Sequence, residues 1–258
     1  MLVQIDGGSI NVNSSHFETT LVKGEIDNNS KLIISGFTEL LPDGGDSKTL
    51  WGYTKDHYHL DTARQINIKS DNANDTDGGT GARTVKINGI SSNKTAVEET
   101  IALNGTNIVP TSNSYFVIYN FIVTSVGDNN SNQGNIVAYY TNDSTEVVNY
   151  IKQGENNSSM CIYRVPTSKN ILLQNIQVSS TCNGAKLYLK VKDANGIEYS
   201  EFVLRLGTFS NMQQLTIDKI YPTDSIIWIK IVADTNVPTS SPTGENCAIS
   251  VMINGVLY

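Results

Sequence analysis

The sequence predicts an all-β protein, and three observations carry that reading. Short runs rich in Val, Ile, Tyr and Thr recur between Gly, Asn and Asp punctuation, at the spacing of sandwiches and barrels. Helical periodicity is nearly absent. Charged residues make up only 17% of the chain against 39% hydrophobic, so Asn, Ser and Thr must solvate the surface, a balance that suits sheets and loops better than helical bundles. The 258 residues are near the length at which one core stops growing, which predicts two compact units. The fold class expected is two jelly-roll-like antiparallel β-sandwich domains with an N-terminal arm.

Taken in chain order, residues 1–47 hold too few strand signals for a core of their own and read as an arm or strand extension that packs on a neighbour or on the first domain, closed by the turn Pro42-Asp43-Gly44-Gly45-Asp46. Residues 48–155 read as a first sandwich, with strands at Gln65–Lys69, Thr84–Ile87, Val97–Leu103, Tyr115–Ser125 and Asn135–Tyr140. Gly154-Glu155-Asn156-Asn157-Ser158-Ser159 breaks the pattern and is the linker candidate. Residues 156–258 read as a second sandwich. Its clearest strand is Ala185–Lys192, where Ala185, Leu187, Leu189 and Val191 share one face and Lys186, Tyr188, Lys190 and Lys192 the other. Asn195-Gly196 then predicts a type I′ hairpin turn. Ile226–Val232 is apolar without alternation, which calls for cover on both faces by the opposing sheet and by a neighbouring domain or subunit.

The net charge of −7 and a pI near 4.9, with dispersed Lys and Arg, argue against a phosphate-backbone partner. No run approaches the ~20 apolar residues of a membrane-spanning helix, and the N-terminus lacks the marks of a secretory signal. Cys161, Cys182 and Cys247 lack the paired spacings of a zinc or redox site and read as buried thiols.

Candidate sites are few. The run from Ser70 to Gly81 clusters side-chain oxygens on a tight turn, so Asp71, Asp75 and Asp77 are candidate calcium ligands, although the glycine positions do not fit an EF-hand; a solvated β-loop is the competing reading. His57 and His59, one residue apart, would share a strand face as metal ligands do, but a third ligand is not evident among His16, Asp56 and Asp61. Trp51, Tyr53 and Tyr58 form an aromatic cluster suited to stacking on a sugar ring or to interface packing. Glu98 and Glu99 are adjacent on a strand and face opposite ways, which argues against a paired-carboxylate site. No catalytic constellation and no cofactor motif is visible.

The run Ser70–Val85, followed by Glu98-Glu99-Thr100-Ile101-Ala102-Leu103-Asn104-Gly105-Thr106, resembles a family of virion proteins of tailed phages, especially marine ones, and of large algal viruses. Met160–Lys169 looks like the start of that family's second half, where a strand ends in a Val-Pro turn. The composition departs from the family's Ala/Thr-rich habit toward Asn, Lys and Ile. The resemblance implies a particle component located in the virion without establishing which one; the role expected is a minor capsid, cement or decoration protein, trimeric, contacting the major capsid protein and other virion proteins. The alternative is a receptor- or glycan-binding tail or fibre protein.

Overall fold

The structure is a computed structural model and describes residues 2–5, 8–11, 29–39, 46–54, 56–57, 62–181, 184–206, 212–233 and 248–258. All regular structure among them is β. In chain order the strands are β1 (Leu2–Ile5), β2 (Gly8–Asn11), β3 (Ser30–Thr38), β4 (Ser47–Thr49), β5 (Arg64–Ser70), β6 (Ala82–Ser91), β7 (Ala96–Ala102), β8 (Val109–Val126) and β9 (Ile136–Tyr140). They continue as β10 (Asp143–Ile151), β11 (Ile162–Arg164), β12 (Ile171–Ser180), β13 (Ala185–Lys192), β14 (Glu198–Leu206), β15 (Gln213–Tyr221), β16 (Ile226–Ala233) and β17 (Ile249–Leu257). Among the described residues, strands β1 and β2 pair only with each other, and every pairing is antiparallel.

The C-terminal unit is a jelly roll, and its pairings nest. Strand β3 pairs with β17, β4 and β11 both pair with β16, β12 pairs with β15, and β13 pairs with β14. With β4 and β11 counted as one interrupted strand, the first of eight pairs with the last, the second with the seventh, the third with the sixth and the fourth with the fifth. That is one long hairpin rolled into two sheets, β15-β12-β17-β3 and β11/β4-β16-β13-β14. Alternation explains the core between them. Leu187, Leu189 and Val191 of β13 meet Ile171, Leu173, Ile176 and Val178 of β12, with Val251 and Ile253 of β17 and Ile34 of β3, all buried. Each such side chain contributes about 1.5–3 kcal/mol on leaving water.

The interruption is where the rest of the chain enters. The Leu50 amide donates to the Ile229 carbonyl (2.8 Å), the Ile229 amide to the Cys161 carbonyl (3.1 Å), and the Cys161 amide to the Leu50 carbonyl (3.1 Å). Strands β4 and β11 therefore lie end to end along β16, and residues 51–160 form an insertion within one strand of the roll. Strand β3 crosses this junction from the opposing sheet at Gly36, where a Cβ would stand 2.6 Å from the Cys161 Cβ and 3.1 Å from a Leu50 methyl. Strand β3 and the start of β4 come from the stretch 1–47 set apart above as an arm or strand extension.

The insertion is one six-stranded sheet, β10-β9-β5-β8-β6-β7. Register shifts between β6 and β8 interrupt the ladder repeatedly, and such bulges bend and twist a sheet. The curl lets opposite edges share one core: Ile101 of β7 and Val148 and Ile151 of β10 join Ile66, Ile87, Phe121 and Ile136. A further cluster joins insertion and roll, with Trp51, Ile90, Val117, Tyr139 and Val147 packed on Met160, Ile162, Ile226 and Trp228. The β-sandwich-like architecture read from the sequence is present, with the jelly-roll pairing in the C-terminal unit.

Several local expectations change. The apolar run of β16 is covered on both faces within the chain: Ile227, Ile229 and Ile231 enter the roll's core, while Ile226 and Trp228 meet the insertion. It therefore carries no argument for a second subunit. The linker candidate is pinned. The Val123 amide donates to the Asn156 carbonyl (2.8 Å), and Asn132 and Asn156 exchange amide-to-side-chain bonds of 2.9 and 3.0 Å. Asp143-Ser144-Thr145, a polar run without strand-like alternation, opens β10. The β13–β14 turn is not type I′, because only Gly196 of the Asn195-Gly196 pair has positive φ (84°). The Asp193 carboxylate instead accepts the Asn195 and Ile197 amides at 2.9 and 2.8 Å, which selects a longer loop closed by a left-handed glycine.

Candidate functional site

The structure brings the chain's aromatic cluster to the seam between insertion and roll. Past Leu50, residues 51–54 turn away from β16, and a buried ammonium holds the turn. Lys48 is 3% exposed, and its Nζ donates to the Tyr53 carbonyl at 2.8 Å and to the Trp51 carbonyl at 3.4 Å. Burial lowers its pKa to about 8, a shift partly opposed by the nearby Asp56 carboxylate. Asp56 in turn accepts the Thr49 amide (2.6 Å) and the His57 amide (2.9 Å).

Within this frame Trp51 is an interior residue, 1% exposed, with its ring edge-packed against Tyr53 (5.3 Å) and His57 (5.4 Å). Neither face of the indole is offered to solvent. Tyr53 is half-buried and leans on Tyr150 of β10 with ring centroids 5.1 Å apart. The Tyr150 hydroxyl donates to Asn135 Oδ1 (2.6 Å), which fixes the ring. Burial first, and then the carboxylates of Asp71 and Glu155, hold the Tyr150 phenol above its ordinary pKa. Tyr53, Tyr150, Phe37, Gly52 and Ser159 line a cleft of about 210 Å³, rimmed by Glu39, Lys152 and Glu155. Lys152 bridges the two acids, 3.3 Å from Glu39 and 3.7 Å from Glu155, and Glu39 raises its pKa. Tyr150, Lys152 and Phe37 lie far from Tyr53 in sequence, so sequence reading missed them. Tyr58 lies outside the described residues.

The acidic loop is organised around Asp75, which is fully buried. Its Oδ1 accepts the Ala82 and Gln133 amides (2.7 and 2.8 Å), and its Oδ2 accepts the Ser70 hydroxyl (2.6 Å) and the Gly134 amide (2.8 Å). Protein donors thus occupy the lone-pair directions that a hard cation would take. A Cβ at Gly81 would collide with Asp75 Oδ1, so glycine lets the loop close over the carboxylate. Asp71 accepts the Asn135 amide (2.8 Å) and its Nδ2 (2.7 Å), while Asp77 is exposed. The structure does not bring the three carboxylates together as a cluster.

His57 is buried with Nε2 3.1 Å from the Val148 carbonyl, which ties the turn to β10. His16, His59 and Asp61 lie outside the described residues, and among those described no group of three or more His, Cys, Asp or Glu is placed to hold a metal. Cys161 is a buried free thiol whose pKa burial raises, and Cys182 and Cys247 lie outside the described residues. Glu98 faces Lys86 (3.1 Å) and Asn88. Glu99 accepts the Ser112 amide (2.6 Å) and the Tyr115 hydroxyl (2.8 Å); despite the opposing effect of burial, these and the Asn113 donors lower its pKa. Both carboxylates are engaged in holding β7 to its neighbours.

No protein-family model and no curated protein matches the chain. Among solved structures, infectious bursal virus derived T=1 particles show 11% identity over 90% of this chain and 77% of that one, with a TM-score of 0.24. The infectious bursal disease virus Gt strain gives 9% identity over 89% and 76%, TM-score 0.24. The VP2 subviral particle of infectious bursal disease virus gives 9% over 93% and 84%, TM-score 0.21. TM-scores this far below one half leave these likenesses without weight for fold or function.

Proposed function

We propose that this chain is a structural component of a virus particle, a minor capsid, cement or decoration protein that stabilises the shell by packing against neighbouring virion proteins, the major capsid protein among them. The observation that carries the reading is a set of exposed aliphatic side chains on the outer side of the roll. Ile220 of β15 stands beside the partly buried Leu172 of β12 on the face opposite the core, while Val256, next in that cross-strand row on β17, is itself buried. Ile220 is 55% exposed, Ile33 on β3 is 53% exposed, and Met252 on β17 is 39% exposed. These three aliphatic groups stand apart on one sheet face, with Asn254, Ser35 and Gln177 beside Ile33 and Met252, and at ~25 cal/mol per Å² their repeated burial against neighbours over a shell would contribute to stabilisation. The virion-protein resemblance of the 70–106 and 160–169 segments supports the same reading. The proposal includes a trimeric assembly in which this face meets its neighbours. The alternative, a receptor- or glycan-binding tail or fibre protein, draws on the Tyr53–Tyr150 cleft.

Electron cryomicroscopy of intact particles tests the proposal. The chain is expected as density on the shell, in contact with the major capsid protein. Density confined to a tail tip or fibre would sink the cement reading.

A further inference from the structure

The cleft between insertion and roll is built like a binding site. Its floor is made of aromatic rings whose positions are set from behind: Trp51 backs Tyr53, Lys48 holds the Tyr53 carbonyl, and Asn135 anchors the Tyr150 hydroxyl. A floor held this way has little freedom to lose on binding, which lowers the cost of association. The volume of about 210 Å³ falls below the ~300–1,000 Å³ of sites for drug-sized ligands, so the cleft suits a single small ring. The rim decides the chemistry. One ammonium stands between two carboxylates, with Lys152 3.3 Å from Glu39 and 3.7 Å from Glu155. The rim is rich in hydrogen-bonding groups yet carries a net negative charge, so it accepts hydroxyl groups and repels anions.

We infer that this cleft binds one neutral sugar residue of a glycan, its C–H face against Tyr53 and Tyr150 and its hydroxyls on Glu39, Lys152 and Glu155. The π faces of the tyrosines attract the weakly positive C–H groups of a pyranose. The acids accept its hydroxyl protons, and the lysine donates to ring or hydroxyl oxygens. A uronic or sialic acid would place its carboxylate beside Glu39 or Glu155, and like charges exclude it. The inference stands on the cleft, not on where the chain sits in a particle.

Saturation-transfer NMR on the isolated protein tests it. The probes are the methyl glycosides of glucose, galactose and mannose, with methyl glucuronide as the anionic control. Transfer to the C–H face of at least one neutral glycoside is expected, with none to the glucuronide. Tyr53→Ala should weaken that binding ten-fold or more. Lys152→Ala, at the exposed rim, tests the same site without touching the core and should weaken it several-fold. Absence of transfer to all three neutral glycosides, a preference for the glucuronide, or binding unchanged in both variants would overturn the inference.

Discussion

Replacing Asp75 is the sharpest test of how the insertion is held together. Asp75→Ala removes a buried carboxylate that accepts four hydrogen bonds, three of them from the backbone amides of Ala82, Gln133 and Gly134. A hydrogen bond to a charged group contributes roughly 1.5–3 kcal/mol net, and each buried donor left unsatisfied costs about 1–3 kcal/mol. The four bonds share one loop and do not add fully, so the expected loss is about 4–6 kcal/mol, among the larger single-residue effects. At 2–4 °C per kcal/mol for a chain of this size, Tm should fall by roughly 10–20 °C. Asp75→Asn keeps one accepting oxygen but turns an NH2 group toward two donors, and should cost about half as much. The assay is thermal and urea unfolding of the purified protein, with and without calcium and with a chelator. A loss below ~1 kcal/mol for Asp75→Ala, or a wild-type Tm that rises with calcium and falls with chelator, would refute the account. The first would show that the loop closes without the carboxylate, and the second that its oxygens serve a cation.

Two further outcomes follow from buried groups. Lys48 has a native pKa of about 8 against 10.5 in the unfolded chain. Below pH 8 both states are charged and the native state bears the burial cost. Between pH 8 and 10.5 the unfolded chain keeps a proton that the native chain has released, so stability rises with pH, by on the order of 3 kcal/mol in all. Urea midpoints of the wild type and of Lys48→Met, compared from pH 7 to 10.5, should diverge in the wild type's favour as pH rises; parallel curves would contradict this. Gly36→Ala places a methyl 2.6 Å from the Cys161 Cβ at the joint of β4 and β11. Overpacking there should cost about 1–3 kcal/mol in urea unfolding, whereas a neutral or stabilising result would mean the two sheets are less closely apposed at that joint.

Much of the local structure was legible because it is local. Ala185–Lys192 alternates residue by residue and is observed as β13 with those bounds, and Ile226–Val232 differs from β16 by one residue. The elements missed are those with weak local signals. Strand β4 is three residues long. The first half of β10 is polar and bulged against β9, so its Asp143-Ser144-Thr145 reads as a turn. The aromatic cluster was visible as a cluster, but burial sorts its members: Trp51 goes inside as support and Tyr53 reaches the cleft. Burial likewise turns Asp75 from a candidate ligand into a hydrogen-bond hub. Neither outcome is readable from residue type, since both depend on which atoms arrive from β9, β10 and the 131–135 loop.

The sequence alone determined the β character, most strand positions, and the face that β13 buries. These follow from a two-residue period and from turn chemistry, which act over a few residues. Only the tertiary structure decided that β3 lies beside β17, that β4 and β11 are halves of one strand, and that residues 51–160 sit inside it. Pairing of this kind depends on side chains two hundred residues apart finding one register, and each strand edge offers the same backbone donors and acceptors to every candidate partner. The choice among partners is made by packing of the assembled core, with Gly36 giving way to Cys161 and Trp228 filling the seam, and no short stretch of the chain contains that information.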